Sequence, residues 1–137
     1  MSRSRILFVD DNVLGHWSVS ESLTEAGFAV TGLCRGMEAL AMLRDGDDFD
    51  LLLTEFQLPD GISGFELAAE WRCLQPGRPV AYTSRFPEMA IGALRRDEGF
   101  IAKPAEIGDL LRVVGLLIAE ARMPLLMPMF RRALYVH

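Results

Sequence analysis

Six side chains of this chain have types and positions that would allow them to share one cleft: Asp10, Asp11, Glu55, Thr83, Ser84 and Lys103. Three carboxylates brought close together resist joint ionisation unless a cation sits among them. A hard divalent ion such as Mg²⁺ suits such a set, because it takes oxygen ligands, keeps several waters and bridges carboxylates to phosphate. A lysine ammonium adds a point charge for an anion, and a threonine hydroxyl adds a donor. The combination fits an acyl-phosphate site, in which a carboxylate attacks phosphorus while its surroundings neutralise the phosphoryl oxygens. Taken singly, Asp10-Asp11-Asn12 would serve as a helix cap and Lys103 as a surface lysine. Their joint order along the chain argues for a site.

The elements that must position these groups follow from the apolar pattern. Leu51-Leu52-Leu53-Thr54 shows no alternation and ends at Glu55, before a turn set by Pro59, Asp60 and Gly61. Such a run predicts a central parallel strand covered on both faces. A carboxylate at its C-terminal end sits where open α/β sheets place their sites. Ile6-Leu7-Phe8-Val9 predicts a first strand that delivers Asp10 and Asp11. Phe28–Leu33 predicts a second, Pro79–Ser84 a fourth that delivers Thr83 and Ser84, and Phe100–Ala102 a fifth ending at Lys103-Pro104.

Helices are expected between them. The first runs from the Asn12 or Asp11 cap to about Ala26, with Leu14, Val19, Leu23 and Ala26 as a partial buried stripe. His16 and Trp17 are expected near its outer face, His16 as a solvated histidine, since no second ligand has helical spacing. Further helices are expected over Gly36–Arg44, after a Ser63/Glu66 capping box, over Pro87–Arg96, and from Ala105 to Arg122. In the last, Ile107, Leu110, Leu111, Val114, Leu117 and Ile118 form the apolar face. Five strands alternating with five helices imply a doubly wound parallel sheet with helices on both faces.

With 137 residues the chain has room for one domain. Its net charge of -5 gives no basic field for nucleic acid, and no apolar stretch approaches a membrane span or a signal peptide. Cys34 and Cys73 lack metal-type spacing, and two reduced thiols in a cytoplasmic protein are expected.

The sequence resembles the receiver domains of bacterial two-component response regulators. The matching pieces are Ile6 to Asn12, Asp50 to Pro59 with Gly61 and Gly64, Tyr82-Thr83-Ser84, and Gly99 to Pro104, covering about residues 4 to 122 in order. The resemblance implies a flavodoxin-like (βα)5 sheet with strand order 2-1-3-4-5, and signalling through the surface of the fourth helix, fifth strand and fifth helix. It implies Mg²⁺ held by Asp10, Asp11, the acid at position 55 and the backbone carbonyl of Gln57. It assigns Thr83, with Ser84 beside it, and Lys103 to phosphoryl contact, and Phe100 to the switch aromatic.

The departure lies at the centre, because the family's phosphoacceptor is an aspartate and this chain has Glu55. One more methylene carries the carboxylate about 1.5 Å further, and about an ångström of misplacement can cost on the order of a hundredfold in rate. The longer acid can instead pair with Lys103 and accept a bond from Thr83, partly imitating the activated state. The loop Leu58–Gly64 is one residue longer than the commonest family form. Residues 1–122 are expected to form the receiver, with 123–137 as an apolar tail and no output domain. That tail, with Leu125, Leu126, Met127, Met129 and Phe130, would either fold back on its own domain or cover a partner.

These readings lead to a stand-alone, atypical receiver that is not an enzyme and acts by protein contact independently of phosphorylation, with Mg²⁺ binding weakened by Glu55. Its expected partners are a histidine kinase, a phosphotransfer protein or another regulator, or a second copy through the helix-four to helix-five face or the tail. The alternatives are slow phosphate acceptance on Glu55, Asp10, Asp11 or Asp60, and a small metal-dependent phosphohydrolase.

Overall fold

The computed structural model describes residues 3–59, 61–86, 94–95, 98–123 and 135–136. Three apolar strands make the centre: β1 (Arg5–Val9), β3 (Leu51–Glu55) and β4 (Val80–Ser84). β3 and β4 are buried along their whole length, as expected of strands covered on both faces. β2 (Ala29–Leu33) lies outside β1, and β5 (Glu98–Ala102) outside β4. All pairings are parallel and the order is 2-1-3-4-5, the flavodoxin-like arrangement predicted from the sequence.

Helices α1 (Val13–Glu25) and α4 (Ile107–Arg122) cover one face, and α2 (Gly36–Arg44) and α3 (Gly64–Leu74) the other. Each face has its own core. Ile6, Phe8, Leu51, Leu53, Ala81 and Ile101 point to the α1/α4 side, where Leu110, Val114 and Leu117 meet them. Leu7, Val9, Leu52, Val80, Tyr82 and Phe100 point to the α2/α3 side, against Leu67, Ala68 and Trp71. The alternation is the two-residue period of a strand. Both expected caps form: Asn12 Oδ1 accepts from the Gly15 amide at 3.1 Å, and Ser63 and Glu66 close a capping box.

Several expectations need correction. Of the predicted helix over Pro87–Arg96, residues 87–93 and 96 lie outside the described ones, while Leu94 and Arg95 are not helical. Four of the five expected helices stand among the described residues. β5 begins two residues earlier than predicted, because Glu98 is buried on partners that a short-range pattern does not reveal. In α1, Leu23 fixes the helix phase and turns Val19, Ser20 and His16 toward the sheet. Leu14, nine residues before Leu23, then points away, since nine steps of 100° end half a turn round. Leu14 is accordingly 84% exposed, and the His16 ring stacks on Phe8 at 4.8 Å instead of lying in solvent. Trp17 is exposed as expected, and Ile107, assigned to the buried face of the last helix, is exposed too.

The tail supplies an element that was not predicted. β6 (Tyr135–Val136) adds to the β5 edge in parallel, with Phe100 opposite Tyr135 and Ile101 opposite Val136. This is the fold-back alternative at these two positions. Leu125, Leu126, Met127, Met129 and Phe130 lie outside the described residues. Cys34 and Cys73 are free and exposed, and no helix among the described residues is long and apolar enough to cross a membrane.

Candidate functional site

Continuing the alternation past the strand ends places the site. Asp10 follows Phe8, Glu55 follows Leu53, Thr83 follows Ala81 and Lys103 follows Ile101, each two residues beyond a side chain of the α1/α4 core. All four therefore leave the sheet on one face at its C-terminal edge. In register, Glu55 is the cross-strand partner of Thr83.

Gly64 fixes the end of β3. Its amide donates to the Phe56 carbonyl at 2.8 Å. A Cβ there would stand 1.9 Å from the Glu55 carbonyl oxygen, so only glycine lets α3 start this close to the strand. Lys103 is fixed from the other side, its amide donating to the Ser84 carbonyl at 2.8 Å.

Lys103 Nζ is the hub. It lies 2.7 Å from Asp10 Oδ2 and 2.5 Å from Glu55 Oε2. Asp10 is nearly buried, and its other oxygen accepts the Asn12 amide at 2.9 Å. Burial pushes the Glu55 carboxyl above its usual range, and the bond and charge of Lys103 only partly oppose this. For Lys103, burial works against the charge, but bonds to Asp10 and Glu55 outweigh it and raise the ammonium above its ordinary value. The lysine stays protonated at neutral pH.

The remaining predicted groups divide. Asp11 and Gln57 are exposed and, with Glu55 and Lys103, line a cleft of about 390 Å³. Thr83 is 4% exposed and its Oγ1 has no hydrogen-bond partner among the described residues, so the bond expected from Thr83 to Glu55 is not made. Ser84 Oγ accepts the Phe86 amide at 3.0 Å. Phe100 is fully buried, with its ring stacked on Phe56 at 5.5 Å. Asp60, an alternative acceptor, lies outside the described residues.

Sequence reasoning missed Arg85, which borders both the acid cleft and a groove of about 570 Å³ between α1 and the start of α4. The signal was available: Arg85 directly follows the two hydroxyl residues at the end of β4. It also missed that α1 would present Val13 and Leu14 to solvent, at 73% and 84% exposure, beside the expected Trp17 at 68%, one turn from Asp10 and Asp11.

Lys103 supplies one positive charge among the acids. Among the described residues, no group of three or more His, Cys, Asp or Glu side chains stands close enough to hold a metal ion. Both oxygens of Asp10 and one of Glu55 are already engaged. Mg²⁺ keeps several waters and needs only one or two carboxylates, and Asp11, the second oxygen of Glu55 and Gln57 border one cleft where they could hold it.

Comparison with known proteins bears on the family and the fold. The family model described as response regulator receiver domain matches residues 6–115. The transcriptional regulatory protein TcrA of Mycobacterium tuberculosis is 32% identical over 117 residues, covering 80% of this chain and 44% of that protein. This chain spans about half the length of the curated relatives it matches. Among solved structures, a response regulator receiver protein from Sinorhizobium medicae superposes with a TM-score of 0.82 at 25% identity, over 88% of this chain and 98% of that one. A CheY-like receiver domain protein from Methanospirillum hungatei gives 0.77 at 27% identity, over 90% and 99%.

Proposed function

This chain belongs to the response regulator receiver domain family, and on that premise we propose that it is an atypical receiver acting in two-component signalling through protein contact, independently of phosphorylation. One observation carries the reading: Glu55 stands at the acceptor place with its carboxylate on Lys103 at 2.5 Å. The ammonium that would meet an incoming phosphoryl oxygen is thereby satisfied by the chain's own acid. The extra methylene displaces it by about 1.5 Å from the reach of an aspartate. The imitation of an activated site is partial, since Lys103 is engaged and Thr83 is not.

Receiver domains are typically signalling modules rather than enzymes, and we assign this chain no catalytic group. Its partner is a histidine kinase, a phosphotransfer protein or another regulator. The exposed apolar ridge Val13-Leu14-Trp17, beside the acid cleft, supports a protein partner. A second reading rests on Asp11, an exposed carboxylate in the cleft that makes no ion pair among the described residues. Such an acid can accept phosphate where Glu55 does not.

Intact mass after incubation with a small phosphodonor and Mg²⁺ tests the proposal. The native chain should carry no adduct and Glu55→Asp should carry one. An adduct on the native chain overturns the proposal, and peptide mapping to Asp11 would establish the second reading.

A further inference from the structure

We infer that the groove between α1 and the start of α4 binds a small amphipathic carboxylate, with its apolar body between the two helices and its anionic head on Arg85 and Thr83. The groove has a volume of about 570 Å³, inside the range of about 300–1,000 Å³ typical of small-molecule sites. Its inner wall is apolar: Phe8 of β1, Val19 of α1 and Leu110 of α4 all line it. Gly15 lines the α1 side and brings no side chain to fill it. A concave, mostly apolar space with a few convergent polar groups is the usual form of a small-ligand site.

The polar groups decide the class of ligand. Asp10 and Lys103 also line the groove, but they engage each other at 2.7 Å, and the Asn12 amide holds the second oxygen of Asp10. Two groups remain without a partner among the described residues. Thr83 is 4% exposed, lines this groove and not the acid cleft, and has an orphaned Oγ1. A buried hydroxyl left unmet costs free energy that a ligand bond would recover. Arg85 is exposed at the groove and makes no ion pair. Its guanidinium matches a carboxylate through two parallel N–H···O bonds. Asp11 and Glu55, which would repel that carboxylate, line the neighbouring cleft and not the groove. A neutral apolar molecule would leave Arg85 unpaired, and a small inorganic anion would leave the apolar wall uncovered. Thr83 is also the hydroxyl that the family resemblance assigns to phosphoryl contact. An occupant of the groove therefore engages that position with no phosphoryl group.

The test is a titration of the whole chain with 2-naphthoate, indole-3-acetate and decanoate, followed by backbone amide shifts in ¹H–¹⁵N spectra. At least one probe should saturate and move the amides of Gly15, Val19 and Leu110. The neutral amide of that probe should bind about tenfold more weakly, the scale of one hydrogen bond to a charged group. Arg85→Met should lose the same factor toward the acid and nothing toward the amide. Gly15→Leu should abolish saturation by filling the groove. A Cβ at Gly15 meets nothing nearer than the Asn12 side chain at 3.5 Å, an ordinary contact, and replacing glycine favours a helix. Arg85→Met, at an exposed site, decides if Gly15→Leu does not fold. The inference is overturned if no probe saturates, if Gly15→Leu binds as tightly as the native chain, or if acid and amide bind equally. None of these outcomes alters the phosphodonor adduct, by which the proposed function stands or falls separately.

Discussion

The two ends of the sheet each bury an acid against a base, and they do so differently. At the start of β5, the Glu98 side chain is 1% exposed and pairs with Arg72 of α3. Tyr82 Oη donates to Glu98 Oε2 at 3.3 Å, and the Arg95 amide donates to Oε1 at 2.7 Å. One acid meets one base, and both carboxylate oxygens are satisfied. At the other end, two buried acids share Lys103, a third stays in the cleft, and the Thr83 hydroxyl has no partner. The first end is a closed ion pair that fastens α3 to the sheet. The second is out of balance in charge, with surplus acid, while a buried donor without a partner among the described residues stands at both ends, Arg72 Nε at the first and Thr83 Oγ1 at the second. Departures from local satisfaction concentrate at functional sites, and the surplus acid at the second end is the departure on which the proposed function rests.

The largest effects should come from the closed end. Removing one partner of a buried pair costs about 3–5 kcal/mol, because the other charge is stranded. Glu98→Ala should approach that range in urea unfolding, at its lower side because Arg72 is 24% exposed and can reach water. Gly64→Ala should follow, at about 3 kcal/mol, the upper end for overpacking. The added Cβ meets strand backbone and not a movable side chain.

By contrast, Glu55→Gln should cost under about 1 kcal/mol, a magnitude typical of a change that leaves no charge unpaired. Lys103 keeps Asp10, and the carboxyl of Glu55 is already penalised by burial. Equal losses for Glu55→Gln and Glu98→Ala would erase the distinction between the two ends.

pH sharpens it further. The Lys103 pKa is raised on folding, from an ordinary value of 10.5. Its contribution to stability is therefore full below that value and is lost as pH rises through the folded one. For Glu55 the raised pKa has the opposite consequence for an acid: the native state holds the proton more tightly than the unfolded chain, so this group favours folding as pH falls. Melting across the alkaline range should show a steeper loss for the native chain than for Lys103→Met. Equal slopes would mean that the bridge contributes nothing.

Much of this was legible in the residues. The unbroken apolar runs at Ile6–Val9 and Leu51–Thr54 predicted the central strands, and their ends located Asp10 and Glu55. The Ser63/Glu66 box formed as read. What failed depended on contacts distant in sequence. Glu98 looks like a loop charge until Arg72 and Tyr82 arrive from α3 and β4. The phase of α1 was misjudged because its buried stripe contains His16 and Ser20, while Leu14 faces outward. A hydrophobicity pattern alone inverts such a helix. The division of roles between Lys103 and Thr83 depends on side-chain reach, and the sequence gives no distances.

The smallest effect on stability should attend β6, and it bears on partners most directly. An edge strand offers unpaired amides and carbonyls to any other strand. In this chain Tyr135 and Val136 take that place beside Phe100 and Ile101. A second copy meeting through β5 must first displace them. Proline cannot donate to a strand ladder, so Tyr135→Pro should loosen β6 at a cost under about 1 kcal/mol, since a two-residue strand makes few bonds. The uncovered β5 edge should then favour self-association, seen as a concentration-dependent rise in mass by light scattering. If Tyr135→Pro and the native chain share one mass at every concentration, the β5 edge is not a contact between copies. The exposed ridge of α1, at the far side of the sheet from β6, then remains the surface on which a partner is to be sought.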